Sequence, residues 1–350
     1  MITKTFLSQA KTPSTHRDTL LIVGNGISIN LRDQFSGRLK NWDTRSPLGW
    51  RVHNPSDKSQ DLIDALPEFK QELARLRAQF PEAKDFQLLT QIARKATTEP
   101  YSSGPALEAR HWIVNAFSQY QQRADYYNQL HSWKWRCFLD NHGHRIAAVV
   151  SFNYDLNIES ALEAAGLHPV ALAAATAKGL HINRDSVPVY KPHGSIDYTA
   201  MGNVIKTTPK YPLHTRMSDN NYPVDLLSRH NLNTARVFAD VILPGETNRF
   251  STFQWVAHPK SRILTQASRA ANVVLAGISF GEPDRPELQE LLRFLPRSAN
   301  AHVVDPSPNP ELMELLEQRF SKLEHISRDL TQIRLPATPA KDSPPTANPA

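Results

Sequence analysis

A chain of 350 residues, 40% hydrophobic and 21% charged, can bury one large α/β domain with an insertion or two modest domains, and its composition is that of an ordinary globular protein. The net charge of +6 is scattered among acids, so nucleic-acid binding is not indicated; no apolar run approaches membrane-spanning length, the polar N-terminus lacks a signal-peptide core, and a cytoplasmic location is expected. The single cysteine, Cys137, excludes an internal disulfide framework and any zinc site built on paired CxxC clips.

Residues 1–18 read as a polar lead-in. Thr19-Leu20-Leu21-Ile22-Val23 is then a continuous β-prone run, the pattern of a strand buried on both faces of a parallel sheet. It breaks into Gly24-Asn25-Gly26-Ile27-Ser28-Ile29-Asn30. Glycines directly after a buried strand let the backbone turn tightly and approach a phosphate, while Ser28 and Asn30 can add hydrogen bonds or cap the next helix. Many such turns bind nothing, so this motif alone does not decide. The polar stretch from Gly37 to Pro55, with Trp42 and Trp50, reads either as a loop over a ligand or as a connector.

Leu62, Leu66, Phe69, Leu73 and Leu76 recur at helical spacing up to Pro81, and amphipathic runs follow near 86–96, 106–120 and 126–141. This predicts a helical insertion at about 56–142, with Trp112, Phe117, Tyr126, Tyr127, Trp133, Trp135 and Phe138 as its core. Cys137, His142 and His144 are metal-ligand types, but with one cysteine and no fourth ligand no metal is expected; His142-Gly143 reads as a helix stop.

Arg145 to Val150 repeats the buried-strand pattern and ends in Ser151-Phe152-Asn153-Tyr154-Asp155. Asn153 and Asp155 thereby stand where a parallel strand opens on a ligand crevice, although Asp155 can equally cap the helix that follows. A short strand around 169–172 precedes the run Val187 to Tyr190, which leads into Lys191-Pro192-His193-Gly194-Ser195-Ile196-Asp197. There a near-neutral base sits beside a glycine at a strand end. Residues 200–250 have little periodicity and read as loops, short strands and a helix over the site, with a strand at Val241 to Pro244. After a helix from about His258 to Ala270, the strand Asn272 to Ala276 stops at Gly277-Ile278-Ser279-Phe280-Gly281, with Asp284 just beyond. A helix at 286–294 leads to the strand 301–304, closed by Asp305. The tail 336–350, rich in Pro, Ala, Thr and Ser, reads as disordered.

The ordered series GNGIS (24–28), SFNYD (151–155), KPHGSID (191–197), AGISFGEPD (276–284) and VVD (303–305) resembles the SIR2-like family, relatives of the sirtuins. The resemblance implies an α/β fold with a Rossmann-like, mostly parallel sheet spanning 19–335, and NAD as substrate across the strand ends. Gly24, Gly26 and Ser28 would line the pyrophosphate and ribose, with Asn25, Asn30, Gly194 and Asp284 in the same cofactor-binding set. Gly277, Ser279 and Asp305 match adenosine-side positions. Asn153 and Asp155 match the family's Asn-x-Asp, and His193 its catalytic histidine.

Sirtuin deacylases carry a four-cysteine zinc module that this chain cannot build. The helical insertion instead resembles the SIR2-like proteins of bacterial anti-phage defence, which break the nicotinamide–ribose bond of NAD. The resemblance thus implies an NAD+ hydrolase held inactive until triggered, as a homo-oligomer or with a regulatory protein encoded nearby. In it Asn153 would place water or ribose, His193 act as general base, and Asp155 hold the carboxamide. Two other outcomes stay open: transfer of ADP-ribose or sirtuin-type deacylation, and a catalytically idle NAD-binding scaffold.

Overall fold

The computed structural model describes residues 17–98, 104–126, 129–177, 183, 185–200, 223–235, 239–246, 251–328 and 330–336. Its centre is an all-parallel sheet of β1 (Thr19–Val23), β2 (Ile146–Ser151), β3 (His168–Ala171), β4 (Ser186–Tyr190), β5 (Asn272–Ala276), β6 (Asn300–Val304) and β7 (Lys322–Ile326). The seven strands lie in the order β7-β6-β5-β1-β2-β4-β3, the Rossmann-like arrangement expected. The principal helices are α1 (Asn25–Gln34), α2 (Pro67–Gln79), α3 (Asp85–Thr98), α4 (Gly104–Tyr126), α5 (Lys134–His142), α6 (Asn157–Ala164), α7 (Gln254–Ala267), α8 (Arg285–Phe294) and α9 (Pro310–Arg319).

Side chains alternate across a strand, so a sheet covered on both faces needs apolar residues at every position. Leu20 and Ile22 pack with Ala148, Val150, Val273 and Leu275 under residues of α7, α8 and α9. Leu21 and Val23 pack with Val149, Val274 and Ala276 on the opposite face, in one cluster with Phe69, Leu89 and Trp112 of α2, α3 and α4. The helices between β1 and β2 therefore share a core with the sheet. Trp42 and Trp50 belong to it too: their rings lie 4.9 Å apart, and Trp50 is 5.2 Å from Phe117 and 5.7 Å from Tyr120, so their stretch is a packed connector. The side chain of Tyr126 and all of Tyr127 lie outside the described residues.

Local signals account for several boundaries. Proline falls in the first turn of α2, α8 and α9, where its missing N–H is not needed, and the Asn309 side chain accepts from Glu311 N and Leu312 N to cap α9. α5 ends at Gly143 as read from the sequence.

Elsewhere the structure departs from the sequence reading. α9 and β7 were not anticipated; β7, Lys-Leu-Glu-His-Ile, is a largely exposed edge strand and lacks the continuous apolar run of its neighbours. Val241 to Leu243 are fully buried but join no sheet, pairing only through a bridge between Gly194 and Val241. Their apolar character reflects burial rather than strand pairing. Asp18, at the end of the polar lead-in, is buried and holds Arg145 at 2.5 Å. Residues 1–16 and 337–350, and most of 200–250, lie outside the described residues.

β1 sits between β5 and β2, so the chain leaves it on one side and returns on the other. The crevice at this switch point, at the strands' carboxyl ends, is where open parallel sheets receive ligands. Here two turns touch backbone to backbone. Gly26 N–H donates to Gly277 O at 3.0 Å, and a Cβ on Gly26 would lie 2.4 Å from Gly277 Cα. Gly277 also has φ +59, which favours glycine. We expect Gly26→Ala to lower stability by about 1–3 kcal/mol in urea unfolding. Gly37→Ala, whose Cβ would meet nothing within 4 Å, is expected to leave the midpoint nearly unchanged.

Candidate active site

Four strand ends deliver side chains to the crevice. From the first turn of α1, the fully buried Ser28 hydroxyl donates to Asp155 Oδ2 at 2.6 Å and accepts from Asn153 Nδ2 at 3.3 Å and Asn157 Nδ2 at 3.1 Å. Asn153 Nδ2 also donates to Gly24 O at 3.0 Å. The Asn153 amide nitrogen is thus committed to the β1 turn, leaving its oxygen as the end that can accept from a ligand or water.

Asp155 is 1% exposed, and both its oxygens are used internally: Oδ1 accepts from Asn157 N at 3.1 Å and Oδ2 from Ser28. It therefore does serve the start of α6, as one sequence reading had it. Burial pushes its carboxyl up, opposed by the Lys191 ammonium and the Ser28 hydroxyl. Lys191, itself buried, donates to the main-chain oxygen of Asp155 and to Glu159 Oε1, the latter at 3.1 Å. On the far side Asn157 Nδ2 donates to Tyr120 Oη at 3.0 Å and Leu156 N to Gln121 Oε1 at 2.8 Å, so α4 supports the loop carrying Asn153.

His193 follows β4 and is 3% exposed, its ring 5.6 Å from Phe152 in edge-to-face contact. Its Nε2 is buried without a hydrogen-bond partner, and the nearest acid, Asp284 Oδ1, is 3.7 Å away. The backbone around it is tightly determined. His193 O accepts from Ile242 N at 2.8 Å, Tyr154 Oη donates to Ile242 O at 2.6 Å, and Gly194, at φ +73, would place a Cβ 2.1 Å from Asp240 O. The segment 239–246 is in turn locked by a buried ion pair, Arg110 of α4 with Glu246 at 2.5 Å, whose other oxygen accepts from Leu243 N. Across the crevice, Phe280 holds φ 50, an uncommon conformation for a non-glycine residue of the kind that collects at functional sites.

The structure therefore brings together Gly24, Gly26, Ser28, Asn153, Asp155, His193, Gly194, Gly277, Ser279 and Asp284. Two of the expected residues are engaged elsewhere: Asn30 Oδ1 accepts from Trp133 Nε1 at 2.9 Å, and Asn25 Nδ2 donates to Thr44 O at 3.0 Å. Asp305 stands at the end of β6, its carboxylate accepting from Ser307 N at 2.8 Å. Sequence reasoning gave no role to Lys191, Asn157, Tyr120, Gln121, Arg110 or Glu246. Only Lys191 carried a signal, as a cation directly after a buried strand. Among the described residues no group of His, Cys, Asp or Glu could hold a metal ion, and no helix is long and apolar enough to cross a membrane.

A family model described as a SIR2-like domain matches residues 147–325, slightly more than half of the chain. Similar solved structures include a SIR2 homolog–NAD complex, 13% identical with a TM-score of 0.34, covering 89% of this chain and 85% of that chain. A Sir2–p53 peptide–NAD+ complex is 15% identical with a TM-score of 0.31, covering 90% and 89%. No curated protein matches.

Two expectations follow from the electrostatics. Removing one member of a buried ion pair strands the other, so Arg110→Met should cost about 3–5 kcal/mol in urea unfolding, more than the double change Arg110→Met with Glu246→Leu. For Asp284, burial raises the carboxyl above 3.8, opposed by His193 and Ser279. Raised acids favour the folded state at low pH, and that contribution is lost as pH climbs from the unfolded value to the folded one. Asp284→Asn cannot titrate, so its Tm should gain on the parent's between pH 4 and 7; a constant difference across that range would remove the assignment.

Proposed function

The chain belongs to the SIR2-like family, and from that premise we propose that it is an NAD+ hydrolase, converting NAD to ADP-ribose and nicotinamide. The observation that carries this reading is the buried, unpartnered Nε2 of His193 at the sheet's carboxyl edge, its ring packed against Phe152 and Tyr154, the residues on either side of Asn153 in the chain. A buried polar atom left unpaired costs about 1–3 kcal/mol, and a ligand hydroxyl would satisfy it. The crevice fits a dinucleotide in other respects. The Gly26–Gly277 contact leaves no room for side chains between the two turns, and α1 directs its N-terminus there, favourable to phosphate.

NAD supplies a positively charged nicotinamide leaving group on an anomeric carbon. Hydrolysis breaks the C–N bond, with the electron pair departing on the nicotinamide nitrogen, and forms a C–O bond from water with release of one proton. In this proposal Asn153, anchored through Ser28 and Gly24, uses its carbonyl oxygen to orient the water or a ribose hydroxyl. His193 accepts a proton at Nε2 from the hydroxyl or the water. Asp155 was assigned the carboxamide from the sequence; its burial and internal bonds favour a positioning role instead, holding Asn153 through Ser28.

An unrestrained NAD hydrolase would empty its own cell, so the proposal includes an inactive resting state, relieved in anti-phage defence through self-association or a partner protein. The test follows NAD, nicotinamide and ADP-ribose by mass spectrometry in bacteria carrying the gene with its native neighbours, before and after phage challenge. NAD should fall with matching ADP-ribose. His193→Ala and Asn153→Ala should each reduce the rate about 100-fold or more. Protection without loss of NAD would point to transfer or a scaffold; undiminished hydrolysis in His193→Ala would remove the role given to that residue.

A further inference from the structure

Asp284 occupies the N-cap position of α8, yet its side chain makes no capping hydrogen bond. An N-cap aspartate ordinarily accepts from the first turn and contributes about 1 kcal/mol by doing so. Here the carboxylate turns the other way, toward His193, and its one side-chain hydrogen bond is a long one of 3.5 Å from Ser279 Oγ. The neighbouring residues fix that turn. Arg285 lies 4.9 Å over the ring of Phe280, the residue at φ 50, and pairs with Glu311 at 2.6 Å, so the nearest cation in sequence is held elsewhere. Helix capping therefore does not explain the acid at this position.

What faces it is the buried, unpartnered Nε2 of His193, 3.7 Å away. That separation is too long for a direct hydrogen bond. Two groups able to accept, a carboxylate oxygen and an imidazole nitrogen, converge from the loops after β5 and β4 on one small region of the crevice. The complement of two adjacent acceptors is two adjacent donors, and a sugar cis-diol presents its two hydroxyls from neighbouring carbons on one face. We propose that His193 and Asp284 together form an acceptor pair for the cis-diol of a ribose, and that Asp284 makes the site selective for ribose over a deoxy sugar. This rests on the reading of the crevice as an NAD site and deepens it, because it names the part of the ligand that this pair holds.

The selectivity of Asp284 comes from what its part-buried carboxylate loses when a donor is missing. A site built to bond a hydroxyl rejects the analogue lacking it, because the buried acceptor is then left unpaired. Burial already raises Asp284 toward its neutral form, which sharpens that penalty for the charged state.

The test uses equilibrium calorimetry with carbocyclic NAD, which keeps the diol and cannot be hydrolysed, and its 2′-deoxy and 3′-deoxy counterparts on the nicotinamide side. No trigger or turnover is needed. The full chain should bind the diol probe and lose about tenfold to hundredfold in affinity for each deoxy probe. In Asp284→Ala one of the two losses should shrink to less than about threefold while the other persists. Asp284→Ser, which retains a good helix cap, gives the same comparison if the alanine variant folds poorly, and the ratio between probes is insensitive to a general loss of affinity. Both losses undiminished in a folded variant would overturn the proposal for Asp284. No binding of the diol probe by the parent protein would instead overturn the NAD reading, and this proposal with it.

Discussion

The contact of Gly26 with Gly277 sets the geometry on which the crevice depends. Two backbones meet where a side chain on either would collide, which ties the turn after β1 to the turn after β5 at the point where strand order reverses. α1 starts at a fixed height above the sheet as a result, and Ser28 in its first turn becomes the hub for Asn153, Asp155 and Asn157. A hydroxyl can donate once and accept twice, and Ser28 does both in full. The amide of Asn153 is oriented by bonds to two residues of the turn after β1, Gly24 and Ser28, each more than 120 residues away in sequence, before any ligand arrives.

Much of this was legible from the chain because the physics is local. Strands buried on both faces must be continuously apolar, and glycines must follow where backbones converge, so β1, β2 and β5 and their turns stand out. The positions proposed as catalytic were legible as strand ends. What escaped notice lacks a local signature. Asn30 sits in the same short motif as Ser28, but a helix turns its side chain by 100° per residue, and it meets Trp133 rather than the crevice. Asp155 shares a motif with Asn153, but it is buried and both its oxygens are taken by Ser28 and Asn157, partners that the motif itself does not name. The support from Tyr120, Gln121 and Arg110 crosses between elements that sequence spacing does not relate. β7 was hidden because an edge strand tolerates the charges that a central one excludes.

The helical insertion lies outside the residues that the SIR2-like family model matches, and it is structurally continuous with the site. Its core merges with one face of the sheet, its α4 reaches the Asn153 loop through Tyr120 and Gln121, and the Arg110–Glu246 pair secures the segment that lies against the His193 backbone. α4 thus supplies static support to the loops that carry both proposed catalytic side chains.

The Arg110–Glu246 pair also bears on how such a protein can be divided. Cutting the chain after β1 and rejoining it before β2 would give a tidy Rossmann-like sheet on paper, shorter by about a third. Glu246, fully buried and supplied with its counter-charge from the excised part, would remain inside as an isolated anion. The helices between the first two strands are therefore not a detachable module, and a minimal version of this fold would have to be redesigned at position 246, far from either point of excision.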